Sequence, residues 1–269
     1  MVDKIQANGA SLVYTLEGPE DKDIVILSNS LMSTMDMWTP QIPVLHNEFQ
    51  ILRYDSRGHG QSEITPGPYS IYLLANDVLH LMDGLNIEKA HFVGLSVGGM
   101  VGQYLGAHHG DRFFSLTLCN TASEMPIVDV WNDRMSTARN EGIEALVDGT
   151  LQRWFIPSFL ETKRDEVDFV RKMIRTTQVD GYIASATAIR DMSLTAFLKY
   201  ISVPTLVIAG REDPACPLEA SEIIHEHIAG SKLVVIDDAA HLSNVEKPEV
   251  FNEALFNFLK SNSSNSLSQ

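Results

Sequence analysis

The sequence holds only two cysteines, Cys119 and Cys216, in 269 residues. Two cysteines do not make a disulfide framework, and they suit a reducing compartment. No Cys/His cluster with zinc spacing is present, so no metal is expected. No apolar run approaches the ~20 residues that span a bilayer, which excludes a transmembrane helix. The opening Met1-Val2-Asp3-Lys4-Ile5-Gln6 has no apolar stretch behind a basic start. A secretory signal is therefore not expected, and a cytoplasmic location is. Basic residues are scarce, 20 against 35 acidic ones, for a formal charge of −15. Nonspecific binding to nucleic acid or to an anionic membrane is thereby excluded. A small anionic substrate is not. Exposed charges are screened beyond ~8 Å, so such a substrate needs cations placed locally. The GxxxxGK[ST] loop and the dinucleotide fingerprint are both missing, which argues against nucleotide cofactors.

What is present is an ordinary globular balance, 44% hydrophobic and 20% charged. The length fits one large α/β domain with a small inserted lobe. Asn8-Gly9 separates two alternating stretches, 4–7 and 11–15, and predicts a hairpin. Apolar runs at 24–28, 49–54, 90–95 and 114–120 read as strands. Residues 38–46 read as a short helix. From Ser70, the positions Ile71, Leu74, Ala75, Val78, Leu81, Met82 and Leu85 recur at helical spacing, with an end near 84–86. A further helix is expected over 98–107. Strands alternating with helices imply a parallel sheet with right-handed crossovers. The rhythm breaks over 123–194, where a helical pattern runs from 167 to 177; this segment reads as a helical cap inserted into the sheet domain. It divides the core into 1–122 and 195–269. Strands at 205–209 and 233–237 and helices at 218–228 and 248–259 complete the second part. The Ser/Asn-rich tail from 261 is expected to fray.

The segment His91-Phe92-Val93-Gly94-Leu95-Ser96-Val97-Gly98-Gly99 is a strand, then Gly-x-Ser-x-Gly, then a helix. That is the context of a nucleophile elbow. The glycines lack Cβ atoms that would collide with neighbouring backbone. The serine then sits at a helix N-terminus, whose free N–H groups and partial positive charge favour an oxyanion. The alternative is a glycine-rich turn without chemistry.

A neutral serine needs a base, and the base an orienting acid. The expected chain order is Ser, acid, His. The strand at 205–209 runs into Asp213, and that at 233–237 into His241. Ser96, Asp213 and His241 are thus the candidate catalytic triad, with Glu212 the alternative acid. Asp237 and Asp238 are assigned to a turn, and His59 to a structural role in its loop. The oxyanion hole is expected from the backbone N–H groups of Val97, after the nucleophile, and Leu31, in the loop after the strand at 24–28.

These residues bring out a resemblance over most of the chain. It resembles the α/β-hydrolases, and within them the 3-oxoadipate enol-lactonases. Widely shared are the elbow and Arg57-Gly58-His59-Gly60-Gln61-Ser62. More specific are Ser28-Asn29-Ser30-Leu31, Met37-Trp38-Thr39-Pro40-Gln41, Arg153-Trp154-Phe155-Ile156-Pro157, Gly181-Tyr182, Ala188-Ile189-Arg190-Asp191 and Ala240-His241-Leu242-Ser243-Asn244-Val245-Glu246. Two positions depart. Met32 stands where the family commonly has Gly, and Val97 where it often has Met. The resemblance implies an α/β-hydrolase fold, no cofactor, and hydrolysis of a small enol-lactone with an acetate arm in aromatic catabolism. Such a substrate needs a carboxylate site. Trp131, Arg134, Arg153, Trp154 and Arg190 are the candidates, with surface ion pairs or packing of the lobe as the plain alternatives. Carboxylesterase, other lactonase or cofactor-free perhydrolase activity are the rival enzymatic readings. A non-catalytic ligand receptor on the same fold is a further one, and a homo-oligomer is compatible with the sequence.

Overall fold

The computed structural model describes residues 2–125 and 127–264. The chain begins with a hairpin, β1 (Asp3–Ala7) and β2 (Ala10–Glu17). Asn8 and Gly9 between them have φ of 49° and 76°, the left-handed pair that a two-residue hairpin turn requires. Next come β3 (Ile24–Ser28), a 3-10 helix at Met35–Gln41, α1 (Ile42–Leu45) and β4 (Gln50–Tyr54). The helical stretch starts three residues before the expected 38–46. Thr34 Oγ1 accepts from the Asp36 N–H, and Asp55 Oδ1 accepts from the Met35 N–H at 2.9 Å. A distant carboxylate thus caps this turn, which local pattern could not reveal.

Helix α2 (Ile71–Gly84) follows, capped by the Ser70 side chain. Its buried residues include Ile71, Leu74, Ala75, Val78, Leu81 and Met82, the positions that the 3.6-residue spacing marks. Then come β5 (Ala90–Leu95), α3 (Val97–His108) and β6 (Phe113–Cys119). All six residues of β5 are buried, as a parallel strand covered on both faces demands. Between β6 and the next strand lie α4 (Val128–Glu141), α5 (Glu144–Trp154), α6 (Pro157–Thr162), α7 (Arg164–Arg175) and α8 (Val179–Arg190). Of these, the apolar spacing had singled out only α7. An antiparallel bridge between Glu124 and Ser193 closes the base of the segment. The chain ends with α9 (Thr195–Leu198), β7 (Thr205–Gly210), α10 (Leu218–His227), β8 (Lys232–Ile236), α11 (Ser243–Glu246) and α12 (Pro248–Ser261).

The strands form one sheet in the order β1-β2-β4-β3-β5-β6-β7-β8. β1, β2 and β4 pair antiparallel, and the pairings from β4 through β8 are parallel. The carboxyl ends of β3, β5, β6, β7 and β8 therefore meet along one edge. The tail departs from the fraying expected from 261. Asp23 accepts from the Ser264 N–H at 2.7 Å and from its hydroxyl at 2.6 Å, so the chain is tied down to residue 264. Residues 265–269 of that expectation lie outside the described residues.

A buried ion pair joins the loop after β4 to α2. Arg57 donates from Nε to Asp77 Oδ2 at 2.8 Å and from Nη2 to Oδ1 at 2.5 Å. It also donates to the Asn8 carbonyl at 2.8 Å, while Asn8 Nδ2 donates to Asp77. Hairpin, loop and helix are thus held at one point, and the carboxylate keeps the guanidinium fully charged. Arg57→Met is expected to destabilise the fold by about 3–5 kcal/mol, because it strands the Asp77 carboxylate. Arg57→Met/Asp77→Leu should recover most of that loss. Urea unfolding at pH 7 measures both, and equal losses in the two variants would contradict the pairing.

Candidate active site

The elbow is built by close backbone approach. Ser96 has φ 56° and ψ −116°, a conformation that non-glycine residues rarely adopt. A Cβ on Gly94 would lie 2.1 Å from the Gly98 carbonyl oxygen, and one on Gly98 would lie 2.3 Å from that of Ser28. Neighbouring segments hold the strained serine in place. Its N–H donates to the Cys119 carbonyl at 2.9 Å, and its carbonyl accepts from Thr121 Oγ1 at 2.7 Å. The Gly98 N–H donates to the Asn29 carbonyl at 3.1 Å, which ties α3 to the loop after β3.

Asp213 and His241 leave the sheet after β7 and β8 and meet. Asp213 Oδ2 lies 2.8 Å from His241 Nδ1, and both residues are buried. A carboxylate only accepts, so the imidazole carries its proton on Nδ1 and leaves Nε2 free as a base. Asp213 also accepts from the N–H groups of Ala215 at 2.8 Å and Cys216 at 3.0 Å, and from Asn120 Nδ2 at 3.1 Å. Ser243 Oγ in turn donates to Asn120 Oδ1 at 2.6 Å. Asn120 and Ser243 are supports that the sequence reading missed. Their one signal was position, at the end of β6 and two residues past His241. Glu212, the alternative acid, instead accepts from the Ala239 N–H at 3.0 Å. Asp237 pairs with Arg211, and Asp238 takes a turn conformation with φ 51°. Cys216 Sγ lies within 4.8 Å of ligand atoms of Asp213 and His241, a grouping able in principle to hold a metal. Burial keeps its thiol protonated, and four N–H donors already occupy the Asp213 oxygens.

A cavity of about 790 Å³ is lined by Ser96 and His241 together with Leu31, Trp131, Arg134, Arg153 and Trp154. No hydrogen bond joins Ser96 Oγ to His241 among the described residues. Such contacts commonly tighten only when substrate binds. The Leu31 and Val97 N–H groups have no acceptor among the described residues. Val97 opens α3, where a free N–H is intrinsic to the helix start; its side chain is not on the cavity wall.

Met32, next to Leu31 and also on the cavity wall, has φ 62°. This is the left-handed backbone region that favours glycine. The Met32 N–H donates to His59 Nε2 at 3.1 Å. His59 must then hold its own proton on Nδ1, which faces the Arg57 carbonyl at 3.4 Å. Burial depresses its pKa to about 4. His59 thus fixes the loop that carries Leu31 and Met32 as a neutral acceptor.

The arginines divide. Arg134 and Arg153 both donate to Thr150 Oγ1, at 3.5 and 3.3 Å, and neither has a carboxylate partner among the described residues. Arg134 lies 5.1 Å over the Trp131 ring, and its Nε is buried without an acceptor. Burial and the neighbouring Arg134 lower Arg153 to about 10. Arg190 does not join them. It pairs with Asp191 at 2.7 Å and donates to Asn132 at 2.9 Å, off the cavity wall. Trp154 lies 6.2 Å from the His241 ring, centroid to centroid. Glu246 clamps this region. It accepts from the Ile156 N–H at 2.7 Å and the Ala240 N–H at 2.6 Å, joining the helical segment to the His241 loop.

The sheet, the elbow and this edge are those of an α/β-hydrolase. A model of the alpha/beta hydrolase fold matches residues 23–248, and the chain belongs to that family. It is 38% identical over 256 residues to 3-oxoadipate enol-lactonase 1 of Acinetobacter baylyi, covering 94% of each chain. It is 35% identical to enol-lactonase 2 of the same organism, again covering 94% of each. Among solved structures, the enol-lactonase from Burkholderia xenovorans superimposes with a TM-score of 0.94. The identity is 39%, over 96% of this chain and all of that one.

The buried His59 makes stability depend on pH. Its folded pKa of about 4 lies below the ~6.5 of a free histidine, so between these values the unfolded chain binds more protons. That contribution is present above pH ~6.5 and is lost as pH falls toward 4, up to about 3 kcal/mol. The stability difference between wild type and His59→Asn, from urea melts, should therefore shrink by that order between pH 7 and pH 4. A difference constant with pH would show that His59 titrates normally.

Proposed function

We propose that the protein is a serine-dependent carboxylic ester hydrolase that opens a small anionic enol-lactone, 3-oxoadipate enol-lactone, to 3-oxoadipate. Ser96 Oγ attacks the lactone carbonyl while His241 Nε2 takes its proton. Asp213, desolvated and bonded to Nδ1, holds the tautomer and stabilises the imidazolium. The Leu31 and Val97 N–H groups receive the oxyanion, each donor contributing ~3 kcal/mol to transition-state stabilisation. Collapse breaks the ring C–O bond and expels an enolate, which tautomerises to a ketone and so leaves readily. Water, activated by His241, then releases the acid. The helical segment acts as a cap, since Arg134, Arg153, Trp131 and Trp154 reach the cavity from it.

One observation carries the substrate class: two guanidiniums on the wall of the cavity that holds Ser96, with no carboxylate partner among the described residues. Bringing two like charges together inside a protein is unfavourable unless an anion joins them. In a chain of net charge −15 such a pair marks a carboxylate site. The acetate arm of the enol-lactone supplies the carboxylate, and Thr150 orients the two guanidiniums. The enol-lactonase relatives support the same substrate.

Steady-state kinetics on the enol-lactone and on p-nitrophenyl acetate test this. Ser96→Ala should lower kcat by ~10⁴-fold or more on both. Arg134→Ala and Arg153→Ala should each raise KM for the enol-lactone roughly 10–100-fold, as loss of a charged hydrogen bond worth ~1.5–3 kcal/mol implies. The neutral ester should be spared. If both arginine variants treat the two substrates alike, the carboxylate site is not there.

A further inference from the structure

The cavity includes in its lining a set of apolar residues, an apolar arm, that the small lactone does not need. At about 790 Å³ it falls in the ~300–1,000 Å³ range that encloses drug-sized ligands. Its lining includes Ala215 and Pro217 before α10, Ala220 and Ile223 on α10, Ile127 before α4 and Val130 in its first turn. Ile127, Val130 and Ile223 are 62%, 49% and 41% exposed. Large aliphatic side chains around the mouth of a catalytic cavity mark an apolar ligand site. Val130 and Arg134 are one turn apart on α4, about 6 Å along its axis. Residues four apart share a helix face, so Val130 and Arg134 present an apolar and a cationic group to the same cavity. Glu124 and Glu219 also line this cavity; beside them a second carboxylate would be repelled and a neutral chain would not.

We propose that this arm binds an alkyl chain, and that the protein also hydrolyses neutral lactones bearing an unbranched alkyl substituent. The inference rests on the serine-hydrolase reading of the same site. The chemistry is unchanged. Ser96 Oγ bonds to the acyl carbon, the ring C–O bond breaks, and the alkoxide takes the proton from His241. Water then cleaves the acyl–serine ester to give a hydroxy acid. Burial of each added methylene contributes up to about a fourfold gain in kcat/KM until the arm is filled.

The test follows γ-lactones from γ-valerolactone to γ-nonalactone by pH-stat, beside the enol-lactone. Wild type, Ala220→Trp, which fills the arm, and Ile223→Ser, which makes a half-exposed wall position polar, are compared. In wild type, kcat/KM should rise with chain length. Ala220→Trp should abolish the rise and Ile223→Ser should weaken it, with enol-lactone turnover held within about twofold of wild type. A flat or falling series with normal enol-lactone turnover overturns the apolar arm alone. A rising series without enol-lactone turnover supports the arm and overturns the anionic-substrate reading instead. Absence of turnover on every lactone overturns both.

Discussion

The architecture of this site depends on one steric constraint. Ser96 can occupy its left-handed conformation only because Gly94 and Gly98 let three backbones approach at distances no Cβ permits. β3 supplies the Ser28 carbonyl beside Gly98, and β6 supplies the Cys119 carbonyl that binds the Ser96 N–H. The strain is thus held by three adjacent parallel strands. The same crowding places the N-terminus of α3 against the loop that carries Leu31. The Ser96 turn and the Leu31 loop are thus positioned by one contact.

Charge is managed by placement. The chain is strongly acidic as a whole, yet its cavity wall carries two guanidiniums without carboxylate partners among the described residues. Long-range attraction for an anion is screened at physiological salt, whereas a cation inside a cavity acts at short range and low dielectric. Burial and the neighbouring Arg134 charge both disfavour the protonated form of Arg153, which still carries its charge at neutral pH. An arriving carboxylate would relieve both effects. Arg190, with Asp191 beside it, is already neutralised and has nothing to offer such a ligand.

Groups outside the proposed triad set the geometry by hydrogen bonds across long sequence separations. His59 accepts from the Met32 N–H, Asn120 supports Asp213, and Glu246 accepts from the Ile156 N–H of the helical segment as well as from Ala240 in its own region of the chain. Burial raises Glu246 to about 7, so its clamp changes charge near neutrality, while His59 stays neutral. None of these partners is adjacent to its target in the chain. All of them converge because parallel strands deliver their following loops to a single edge.

The sequence by itself determined the periodic and the punctuated features. The Asn-Gly hairpin, the apolar stripe of α2, the buried run of β5 and the Gly-x-Ser-x-Gly turn each follow from local sterics or from spacing. Chain order along a parallel sheet was enough to nominate Asp213 and His241 as partners. The helices between β6 and β7 were mostly illegible, because their faces are defined by one another rather than by a strong local period. Only tertiary structure decided which arginines face the cavity. Arg134, Arg153 and Arg190 are all arginines of the helical segment, and the sequence offered each as a carboxylate ligand. What separates them is where each guanidinium points: Arg190 pairs with its chain neighbour Asp191, whereas Arg134, although next to Asp133, reaches Thr150 and the cavity wall beside Arg153. Adjacency to an acid therefore did not tell these arginines apart; side-chain direction in the folded structure did.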